Sequence, residues 1–108
     1  MRDLQVDLHG YDVVGAIELA EQRVHEAYEN GYGTVELLHG AGDVAEPVEE
    51  GRGRIKWALR RLVDEGRFYG YCEPGRTWLK AGSIVLYLKP NPRPRRENWS
   101  PEPRRPYR

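Results

Sequence analysis

At 108 residues, 39% of them hydrophobic, the chain has the length and apolar content of one domain with a modest core. The single Cys72 excludes an intramolecular disulfide and argues against a cysteine-based zinc site. The absence of a long apolar run or of a signal-like start at Met1-Arg-Asp-Leu-Gln leads us to expect a cytoplasmic protein with no membrane partner. The formal charge of zero conceals an asymmetry that suits a polyanionic partner: residues 1–51 carry 2 basic and 12 acidic side chains, residues 52–88 carry 8 and 3, and residues 89–108 carry 7 and 2.

Leu4-Gln-Val-Asp-Leu8 alternates apolar and polar side chains, the period of a strand with one buried face. After His9-Gly-Tyr11, Asp12 is placed to cap a helix whose apolar stripe is Val13, Ile17, Ala20, Val24 and Ala27, and Asn30-Gly31 ends it. Thr34–Leu38 predicts a second strand, running into His39-Gly-Ala-Gly42. Residues 43–53 are acidic and glycine-rich and are expected to form a mobile loop. A second helix is predicted from Arg54 to Glu65, with Ile55, Leu59, Leu62 and Val63 inward and Lys56, Arg60 and Arg61 wet. Arg67–Cys72 predicts a third strand, the polar residues after Glu73 a loop, and Ser83–Leu88 a continuous apolar strand of the kind found inside a sheet. Residues 90–108 hold six of the eight prolines and six arginines. They are expected to be a disordered basic tail, with Trp99 either exposed in it, docked on the domain or free to stack on a base, which leaves residues 1–89 as the domain.

The order is therefore β-α-β-α-β-β, with a crossover unit that makes the first two strands parallel. Val6-Asp-Leu-His-Gly10 and Glu36-Leu-Leu-His-Gly40 are near copies thirty residues apart, each with His-Gly just after a strand. Parallel neighbours would bring both turns to one carboxyl edge, where ligands bind in open α/β sheets. There Gly10, Gly40 and Gly42 would turn N–H groups toward a ligand, and His9 and His39 could donate to a phosphate or move a proton. Asp7 would orient a histidine or a bound cation, and Arg52, Arg54 and Lys56 could reach phosphate oxygens. His25, inside the first helix, reads as a surface residue.

These residues resemble a known family. Val6-Asp-Leu-His-Gly10 looks like the L-D-L-H-G motif of the small MutS-related (Smr) domain, and His39-Gly-Ala-Gly42 looks like its H-G-x-G motif. Gly53–Leu59 resembles the opening of its second helix, and Gly82–Leu88 its last strand, so the likeness spans roughly residues 4–89. The resemblance implies an α/β fold: a βαβαββ two-layer sandwich with a four-stranded mixed sheet and two main helices. It also implies endonuclease activity on DNA or RNA, with Asp7, His9 and His39 as catalytic residues and the motif glycines at the phosphate. Ala41 stands where the family often has a basic residue, and the acidic 43–51 segment looks longer than usual. Both departures favour an alternative, a non-catalytic nucleic-acid- or ribosome-binding module. A third reading makes a divalent cation the cofactor of a hydrolase, held by Asp7, His9 and His39, although no close-spaced ligand pattern supports it.

Overall fold

The computed structural model describes residues 2–73, 75–95 and 99. The elements run β1 (Asp3–Asp7), α1 (Val13–Glu29), β2 (Thr34–Leu38), α2 (Arg54–Asp64), β3 (Trp78–Leu79) and β4 (Ser83–Tyr87). They form one four-stranded mixed sheet in the order β1-β2-β4-β3. β1 and β2 are parallel, whereas β4 runs antiparallel to both β2 and β3. This is the expected α/β sandwich, with two helices on one face of the sheet.

Alternation decides which face is covered. Leu4, Val6 and Leu8 of the first strand region, Val35 and Leu37 of β2, and Ile84 and Leu86 of β4 all point to the helices and are buried. Their polar neighbours Gln5, Glu36 and Ser83 lie on the other face and bond across it. Glu36 accepts from the Ser83 hydroxyl at 2.6 Å, Lys80 Nζ at 3.0 Å and Gln5 Nε2 at 3.1 Å. These donors, Ser83 foremost, hold the Glu36 carboxyl below its usual range. The cluster ties β1, β2 and the β3–β4 hairpin together on the face that no helix covers.

α1 starts where expected: the Asp12 carboxylate accepts the Gly15 N–H at 2.7 Å. Its buried stripe is Ala16, Leu19, Ala20, Arg23, Val24 and Ala27, rotated slightly from the expected one, with Ile17 at the margin. The rotation frees Val13 to face a cleft and leaves Val14 65% exposed.

One expectation is corrected. Residues 67–72 form successive turns, not a strand. Tyr69 N bonds to Gly66 O, and Tyr71 N and Cys72 N both bond to Phe68 O. Phe68 and Cys72, four apart, are the two buried ends of this turn, and Cys72 touches the sheet through a single bridge to Leu88. Burial pushes the Cys72 thiol up to about 12. The third strand is instead Trp78–Leu79, within the stretch read as loop.

Part of the segment read as a basic tail is described. The last carbonyls of a helix lack intrahelical donors. Here the Asn91 side chain donates to Tyr28 O, the Arg95 N–H donates to Glu29 O, and the Arg95 guanidinium lies 3.4 Å from the Glu29 carboxylate. Pro94 packs on Gly31, where a Cβ would come within 2.9 Å of the ring. Trp99 sets its ring edge-on to Tyr32 at 5.5 Å. Residues 91–95 and Trp99 therefore close off the C-terminal end of α1. The rest of the expected tail, 96–98 and 100–108, lies outside the described residues.

Candidate active site

The parallel register pairs Asp7 with Leu38, and the pairing continues one residue further through Leu8 N and Leu38 O at 3.0 Å. Both His-Gly turns thus leave the sheet at the same edge, as the spacing predicted. They line one cleft of about 390 Å³, together with Tyr11, Arg52 and Arg54. The N-terminal ends of both helices also reach this cleft, through Asp12-Val13 of α1 and Gly53-Arg54 of α2. The α2 end has no side-chain cap, and its partial positive charge favours an anion beside the two arginines.

His9 is exposed. Its backbone N–H donates to Asp7 Oδ1 at 2.8 Å, so Asp7 acts on the main chain of the turn and not on an imidazole ring. Gly10 follows with φ +85°, turning the chain so that His9 and Tyr11 flank the cleft.

His39 is set differently. Its ring Nδ1 lies 2.6 Å from Gly40 O, a carbonyl that can only accept, so Nδ1 carries the proton. Nε2 is then the unprotonated nitrogen. It is shielded from solvent and meets no hydrogen-bond partner among the described residues. Burial holds the His39 pKa below its usual value, and the nearby cations Lys56 and Arg60 add to this against the pull of the Gly40 carbonyl. His39 is therefore neutral at pH 7 and does not attract an anion by charge.

Several expected ligand groups serve packing instead. The N–H groups of His39 and Gly40 both donate to Gly82 O, at 3.1 and 3.0 Å, so neither is turned toward a ligand. Gly42 lies against the β3–β4 hairpin, where a Cβ would sit 3.4 Å from Ala81. Lys56, read as a wet phosphate contact, is only 2% exposed, and its Nζ lies 3.4 Å from Ala41 O. The 43–53 segment also folds back across the start of α2. Trp57 Nε1 donates to Val44 O at 3.2 Å, and Gly53, at φ +93°, lies so close to Val44 that a Cβ would meet it at 2.8 Å. Burial lowers the Lys56 pKa first, and Arg60 adds to the effect.

Of the expected anion contacts, Arg52 and Arg54 remain at the cleft. Arg52 is held by Asp43 at 2.6 Å, both side chains well exposed; that bond keeps the Asp43 carboxyl below its usual range. Ala41 is the one non-glycine among the described residues with positive φ, at +52°. Sequence reasoning missed Tyr11, Ile55 and Gly53 at the cleft. The signal for Gly53 lay in Gly51-Arg-Gly53 just before a helix. His25, as expected, is on the surface, stacked on Tyr71 at 5.0 Å and bonded to Glu29. Among the described residues no three His, Cys, Asp or Glu side chains group closely enough to hold a metal ion, and no helix is long and apolar enough to cross a membrane.

The comparisons agree with this architecture. The crystal structure of the Smr domain of Thermus thermophilus MutS2 superposes with a TM-score of 0.57 at 28% identity, covering 80% of this chain and 98% of that one. No curated protein matches the chain. The Smr domain family model matches residues 6–89, which contain both His-Gly turns, and this chain belongs to the Smr domain family.

Proposed function

We propose that this protein is a nucleic-acid endonuclease that hydrolyses phosphodiester bonds of DNA or RNA in the cleft between the two turns. The observation that carries this reading is the convergence of His9 and His39, thirty residues apart in sequence, on one cleft that also receives Arg52, Arg54 and two helix N-termini. A phosphodiester is an anion, and its hydrolysis needs a proton taken from water and one given to the leaving oxygen. His9, the exposed one of the two, can take the proton of the attacking water, whereas His39, neutral and with Nε2 shielded, lines the cleft wall. Once protonated, His9 suits protonation of the oxygen that leaves as the P–O bond breaks. Asp7 fixes the turn that presents His9.

A second reading, a nucleic-acid- or ribosome-binding module without cleavage, is favoured by one contact. Asp43 occupies the Arg52 guanidinium, and Ala41 puts no cation in its place.

The test is incubation of the protein with end-labelled single- and double-stranded DNA and RNA, with and without EDTA, beside Asp7→Ala, His9→Ala and His39→Ala. The endonuclease reading expects internal cleavage that falls by about 10²-fold or more in the His9 variant. Binding without cleavage in every sample leaves the second reading. Cleavage by the wild type that EDTA abolishes returns weight to a divalent cation.

A further inference from the structure

Beside the histidine cleft lies a larger groove of about 730 Å³, between α2 and the segment around Pro47 and Val48. It is continuous with the cleft, since Val13 and Arg54 line both. Its size falls within the roughly 300–1,000 Å³ of small-molecule sites. One wall is Trp57, whose indole is locked by the bond from Nε1 to Val44 O. The Arg60 guanidinium lies 4.9 Å from the centre of that ring, and its Nε is buried with no hydrogen-bond partner among the described residues. Arg54, Arg60 and Arg61 face the groove against Glu49 and Asp64, leaving it cationic.

We propose that this groove seats an unpaired nucleobase next to the phosphate held in the cleft, an inference that rests on the nucleic-acid reading above. A flat aromatic ring with a guanidinium stacked on it offers a platform to the face of any base, and stacking of this kind tolerates base identity. The arginines match the backbone charge, and Arg54 stands where base groove and phosphate cleft meet. Glu49 and Asp64 are acceptors, suited to the exocyclic amino groups of a base and not to its phosphate. A base inside a duplex is paired and stacked, and it reaches a groove beside the backbone only by leaving the helix. The substrate class is therefore single-stranded or locally unpaired nucleic acid.

The test is equilibrium binding of the full chain, at one fixed low salt, to a labelled 12-nucleotide single strand, to the same strand with abasic sites through its centre, and to the matching duplex. The wild type is expected to bind the natural strand roughly 5- to 100-fold more tightly than the abasic strand, and more tightly than the duplex. Trp57→Leu removes the preference and leaves abasic affinity unchanged. Trp57→Phe, which keeps a ring but loses the Val44 bond, retains most of the preference. Ala58→Phe on the same groove wall fills the seat and removes the preference without touching Trp57, so the decision does not depend on one variant folding. Equal binding of natural and abasic strands by the wild type, or a preference unmoved by both Trp57→Leu and Ala58→Phe, overturns the base seat while nucleic-acid binding stands. Failure to bind any of the three probes overturns both readings together.

Discussion

The two His-Gly turns are near copies in sequence and opposites in structure. β1 is an edge strand, so among the described residues no strand on its outer side pairs with the residues after it. The His9 N–H is satisfied by the chain's own Asp7 carboxylate, and the His9 side chain stays in water. β2 lies between β1 and β4, so its turn runs beneath the β3–β4 hairpin. The Gly82 carbonyl takes both the His39 and Gly40 N–H groups, and the His39 Nε2 is shielded from solvent. Strand position, and not the tetrapeptide, decides which histidine is a free group and which is built in. The lesson is that a repeated motif in a sheet is not a repeated environment.

The strongest way to break this comparison is to remove each ring in turn. His9→Gln is expected to reduce cleavage by about 10²- to 10⁴-fold with urea stability unchanged. His39→Gln is expected to reduce cleavage and stability together. Equal stability loss in the two variants, read from urea midpoints at constant slope, contradicts the division.

A smaller effect tests the cover over the second turn. Glu36→Gln weakens the bonds that hold Lys80 and Ser83 and is expected to lower stability by roughly 1–2 kcal/mol. Amide exchange should quicken at His39 and Gly40 and not at His9. If His9 responds equally, the hairpin is not what separates the turns.

Acid sharpens the difference further. His39 binds its proton less readily in the folded chain than unfolded, so between the usual histidine value near 6.5 and its lower folded value the unfolded state holds more protons. Stability is therefore expected to fall as pH drops below about 6.5, and to be indifferent to this group above it. Urea midpoints from pH 8 to 5 check this. The slope attributable to His39 should vanish in His39→Gln and persist in His9→Gln.

The smallest effect concerns the cleft that the turns share. Asp43→Asn releases Arg52 and is expected to tighten nucleic-acid binding by about two- to fivefold at low salt, a gain that disappears at high salt. Unchanged binding at low salt means that the Asp43 pair does not compete with substrate.

Most of this architecture was legible in the sequence. Period and caps located β1, α1, β2, α2 and β4 to within a residue or two, because each has a clear apolar face and a chemical stop such as Asp12 or Asn30-Gly31. β3 was not legible. Trp78 and Leu79 are two residues long and both exposed, so they carry no burial pattern, whereas Phe68 and Cys72 mark a buried turn whose central Gly70 hides the difference between strand and turn periods. For the cleft, the spacing of the motifs and the parallel pairing were enough to bring His9 and His39 together. What escaped was tertiary: Lys56 looked wet because its helix face is polar, yet the fold buries it with its Nζ 3.4 Å from Ala41 O. The docking of Asn91 and Arg95 escaped for a similar reason. It is dictated by the unpaired carbonyls at the end of α1, which belong to another part of the chain.

Cys72 gives the molecule a reporter of its own. A thiol that ionises only near pH 12 and is 1% exposed does not react with alkylating reagents while the fold is closed. Alkylation must then wait for the Phe68–Cys72 turn to lift from Leu88, so the labelling rate at neutral pH times that opening. With a single cysteine in the chain, one mass shift per molecule reads the dynamics of the segment where strand and turn were hardest to tell apart, with no probe introduced.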